Sequence, residues 1–137
     1  MKMIAQDLRI GNWVAYGLHS PLVIVSINSA GWIETKPTVD GYVSEFNGIP
    51  LTPDLLERCG FVKSDKSPYS DMPAYVIGED AQRIYWCAND LFKILPDGFI
   101  AITNYKHLPR RECVEYLHQL QNAIYFLTDT ELIINNA

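Results

Sequence analysis

The chain has 137 residues, of which 48% are hydrophobic and 20% charged, with a net charge of -5 at pH 7. This is enough apolar material for a single domain over residues 1–137, and a chain of this length buries roughly two thirds of its unfolded surface. Disorder is excluded as the default state, and the acidic balance counts against non-specific binding to nucleic acid or anionic membranes, which needs a positive surface.

Residues 1–7 lack a continuous apolar stretch, so no secretory signal is expected. Gly11-Asn12 signals a turn, after which Trp13-Val14-Ala15-Tyr16 begins a strand. Residues 17–21 predict a loop. Residues 22–27 (LVIVSI) predict a strand because β-branched side chains dominate them, and this run is far too short to span a membrane. A turn over residues 28–31 returns the chain as a hairpin strand over 32–35, and alternation predicts another strand over 42–46.

The next segment carries the clearest local signals. Thr52 can cap a helix through its hydroxyl, Pro53 suits the first helical position, and Gly60 can supply a left-handed residue after the last turn. A helix of about two turns near residues 53–59 follows, with Leu55, Leu56 and Cys59 turned inward. Residues 61–73 predict a polar loop. Strands are expected over 74–78, 83–87 and 99–103, with a further candidate at 91–95 and a hairpin turn at Asp97-Gly98.

The last third has two readings. A helix could run from Pro109 to Leu127, or residues 113–116 could be a strand followed by a helix from about Leu117. Both place a helix over 117–127. Thr128-Asp129 ends it, and residues 131–134 suggest a short edge strand. The fold class expected is therefore α+β: a mostly antiparallel curved sheet, a short helix near 53–59 and a C-terminal helix near 117–127.

The residues that could carry chemistry are scattered. Cys59, Cys87 and Cys113 contain no CxxC pair, so neither a zinc ribbon nor a disulfide framework is expected, and reduced cysteines suit a cytoplasmic location. His19, His107 and His118 show no metal-ligand spacing, Glu79-Asp80 reads as a turn, and no glycine-rich phosphate loop occurs. A cysteine nucleophile needs a histidine to take its proton, and His107 with Cys113 has no supporting local signature. No catalytic residue, cofactor or metal is expected. Lys106-His107-Leu108-Pro109-Arg110-Arg111 is the one basic cluster, and Lys106, Arg110 and Arg111 are its candidate nucleic-acid contacts.

Three segments together are similar to a known group. They are Asp7-Leu8-Arg9-Ile10-Gly11-Asn12-Trp13-Val14, residues 49–61 with Ile49-Pro50-Leu51-Thr52-Pro53 and Cys59-Gly60-Phe61, and residues 116–128 from Tyr116-Leu117-His118-Gln119-Leu120-Gln121-Asn122 to Leu127-Thr128. In that order they resemble small proteins, with no assigned activity, from phage and mobile-element regions of Bacteroides-type gut bacteria. The resemblance implies an element order of strand start, short helix, then strand into helix, and it implies no functional residues. Residues 64–109 carry no match. Gly11-Asn12-Trp13-Val14, Val23-Ile24-Val25 and Gly31-Trp32-Ile33 are also similar to the opening of small SH3-like barrels, which implies a partial barrel in the N-terminal half.

The C-terminal helix gives the most specific functional hint. At about 100° per residue, Leu117, Leu120, Ile124 and Leu127 form one stripe, while Phe126 falls on the far side beside Asn122 and Gln119. Phe126 must be covered by another part of the chain or by a partner. The amides of Gln119, Gln121 and Asn122 are expected to hydrogen-bond to backbone at the packing edge, since buried amides need partners. The leading expectation is a non-catalytic binding or accessory module of a phage or mobile element, acting through self-association or a protein partner at Phe126, Asn122 and Gln119, with no membrane. The rivals are a small nucleic-acid-binding protein and an enzyme with an unrecognised site.

Overall fold

A computed structural model describes residues 8–64, 74–78, 83–87, 90–95, 98–101 and 114–135. The fold is α+β, with two antiparallel sheets and a few helices, and one sheet is a curled half-barrel. The chain divides into two compact units, the first made of residues 1–50 and 115–131, the second of residues 51–114 and 132–137.

The first unit holds strands β1 (Trp13–Tyr16), β2 (His19–Ile27), β3 (Trp32–Lys36) and β4 (Gly41–Tyr42), in that spatial order, and helix α2 (Leu117–Thr128). Alternation decides the inner face. Val14, Leu22, Ile24 and Ile33 point inward and close a core with Leu8 and Phe46. The turn between β1 and β2 is only Gly17-Leu18, because His19 already pairs with Tyr16, so the loop expected over 17–21 is largely strand. The strand expected over 42–46 is also shorter than its pattern. It stops at Tyr42 and gives way to a 3₁₀ turn, Val43–Glu45. Glu45 explains the change: its carboxylate accepts from the Tyr42 amide at 2.8 Å and from the Tyr16 hydroxyl at 3.0 Å, and so draws the chain back on itself. The same bond and the charge of Glu45 push the Tyr16 phenol up from its ordinary pKa.

Residues 47–50 connect β1 to α2. Asn47 bridges Ala15, Pro50 bridges Tyr116, and the Leu117 amide donates to the Ile49 carbonyl at 2.8 Å. Gly48 lies against the Tyr116 ring, and a Cβ placed there would meet ring carbons at 2.7 Å. Of the two readings of the last third, the described residues fit a helix beginning at Leu117, with Tyr116 as an isolated bridge. Residues 102–113 lie outside those described.

The second unit holds α1 (Pro53–Arg58) and strands β5 (Val62–Ser64), β6 (Ala74–Ile77), β7 (Ile84–Cys87), β8 (Asp90–Leu95) and β9 (Gly98–Ala101), in consecutive order. Its helix forms as its residues dictate. The Thr52 hydroxyl accepts from the Leu55 amide at 3.2 Å, and Pro53 opens the first turn. At the other end Gly60 takes φ +92°, its amide donates to Glu57 and that of Phe61 donates to Leu56, which together close a Schellman cap. Phe61 and Leu56 are both buried beneath it. The polar loop expected from residue 61 instead begins with β5, paired to β6. Residues 65–73 and Asp97 lie outside the description. The edge strand expected over 131–134 is not formed. The Asn135 amide donates to the Arg58 carbonyl at the end of α1, the Arg58 Nε donates back to the Asn135 carbonyl, and Leu132 is buried in an irregular segment. No described helix is long and apolar enough to cross a membrane.

Two outcomes test this packing. Gly48→Ala should lower stability by about 1–3 kcal/mol, the usual cost of overpacking, because the Tyr116 ring must move; a urea midpoint equal to wild type would show that residues 47–50 do not abut the ring. Burial pushes the Cys59 thiol up to about 11, with the neighbouring Arg58 charge opposing the shift. Its contribution to stability is complete below the ordinary thiol value of 9.0 and is lost as pH rises through about 11. Native protein treated with iodoacetamide at pH 8.5 should leave Cys59 unmodified in peptide maps, and denatured protein should label fully.

Candidate interaction surface

The site grows from the way α2 meets β1. β1 is an edge strand, and its outer backbone groups need partners. Gln121, one turn into α2 and almost wholly buried, supplies them. Its Oε1 accepts from the Trp13 amide at 2.8 Å and its Nε2 donates to the Gly11 carbonyl at 3.1 Å. Asn12 is fully buried beside it. Its Nδ2 donates to Asn122 Oδ1 at 2.9 Å and more weakly to Gln121 Oε1 at 3.4 Å, while its Oδ1 accepts from the Arg9 amide at 2.8 Å.

A second layer of contacts lies above this network. The Arg9 guanidinium forms a two-pronged ion pair with Glu131, donates to the Gln121 carbonyl at 3.2 Å, and sits 4.5 Å from the centre of the Tyr125 ring. The fork geometry of arginine suits this arrangement, which one flat group satisfies on three sides. The helix ends are also tied. Gln119 Oε1 accepts from the amides of Glu115 and Tyr116 at 2.9 and 3.0 Å, and Asp129 closes the far end in the left-handed region at φ 56°.

The three amides therefore act within the unit, Gln119 and Gln121 on backbone and Asn122 on the Asn12 side chain. Phe126 differs. It is 50% exposed, and Tyr125 next to it is 41% exposed. The predicted surface of Phe126, Asn122 and Gln119 is thus one exposed ring beside two amides already engaged. His118, by contrast, is fully buried, with its ring stacked on Tyr116 at 6.1 Å. His19 is exposed at the start of β2, while Cys59 and Cys87 are buried. Lys106, Arg110 and Arg111 lie outside the described residues, as do His107, Cys113 and the Glu79-Asp80 pair. Among the described residues no group of three or more His, Cys, Asp or Glu is placed to hold a metal ion.

A second apolar surface went unanticipated. On the outward side of the first sheet Trp13 stands opposite Val23, and Trp32 opposite Tyr42, whose rings meet edge to face at 5.0 Å. Val25, at a bulge between them, is exposed. The alternation of Trp13 with Val14, and of Trp32 with Ile33, was the signal for it: the tryptophans take the positions opposite the core.

No family model, curated protein or solved structure matches the chain.

The network and the exposed ring should respond differently to substitution. Gln121→Leu keeps the volume but strands the Trp13 amide and the Gly11 carbonyl, and should cost about 2–6 kcal/mol at about 1–3 kcal/mol for each buried group left unpaired. Phe126→Ala should stay within about 0.5–1 kcal/mol of wild type, as expected for a half-exposed position. Urea unfolding of both variants checks the contrast, and equal losses would mean that Phe126 packs as core.

Proposed function

We propose that this protein is a non-catalytic binding module that associates with a second copy of itself through the outer side of α2, as an accessory protein of a phage or mobile element. The observation that carries the reading is the exposure of Phe126. It is a large apolar ring on a helix whose polar neighbours are committed to bonds within their own unit, so it adds nothing to the internal hydrogen bonding and leaves apolar area open to a partner. Tyr125 extends the patch, and the Arg9 guanidinium holds one face of its ring in place. A rigid aromatic anchor of this kind loses little conformational freedom on binding. The origin in a mobile element rests on the three resembling segments, the first and third of which meet in the Asn12–Gln121 contact.

Multi-angle light scattering over a concentration series tests this. Wild-type protein should approach twice the chain mass, and Phe126→Asp should remain monomeric with an unchanged urea midpoint. Two monomeric proteins of equal stability would overturn the self-association reading.

A further inference from the structure

We draw no further inference here: the strongest candidate, the outward face of the first sheet where Trp13, Val23, Val25, Trp32 and Tyr42 gather, is an unpartnered apolar face and nothing in the structure shows what covers it.

Discussion

Gln121 and Asn12 solve a problem that hydrophobic packing alone leaves open. A strand at the side of a sheet carries amides and carbonyls that must be satisfied, and burying them bare costs more than a typical hydrogen bond contributes. Here a helix side chain takes the place of the missing strand, because a primary amide presents a donor and an acceptor in nearly the same plane as a peptide group. The arrangement also fixes register. Gln121 meets Gly11 and Trp13 together only if α2 stands at one height along β1, and Asn122 meets Asn12 only if the helix has one rotation. The apolar stripe of Leu117, Leu120 and Ile124 supplies the attraction and the amides supply the alignment. Arg9 then fastens the segment before β1 to the segment after α2 through Glu131, a contact between residues 122 apart in sequence.

Legibility in the sequence follows the range of the interaction responsible. Helix α1 is written in its own residues: Thr52, Pro53 and Gly60 act within one or two turns, and each does locally what its side chain allows. Strands β1 and β3 and the body of β2 follow from alternation and β-branching. The departures arise where a distant group intervenes. Residues 42–46 alternate like a strand, yet Glu45 is bonded to Tyr16 on β1, and that bond is invisible to a local pattern. Residues 131–134 look like a strand, but the backbone at Asn135 is engaged by the end of α1. Residue 62 opens a strand because β6 offers it a partner.

The surface was partly legible for the same reason. A helical wheel separates Phe126 from the apolar stripe without any knowledge of the fold, and the demand that buried amides find partners anticipates the bonds of Gln119 and Gln121. What the wheel cannot supply is the partner of each amide. Asn122 meets a side chain rather than the backbone, because Asn12 is itself drawn into the interior by the turn at Gly11. The outward rings of Trp13, Trp32 and Tyr42 needed the sheet to be assembled first, since they belong to three strands brought side by side only by pairing.

The shortness of β4 has its own consequence. With two residues it offers almost nothing for an incoming strand to pair with, and on the opposite side Gln121 and Asn47 already occupy the groups of β1. The first sheet is therefore a poor template for growth by strand addition, the route by which β proteins polymerise into fibres. At the two ends of this sheet, contact with another molecule falls to side chains more than to main chain.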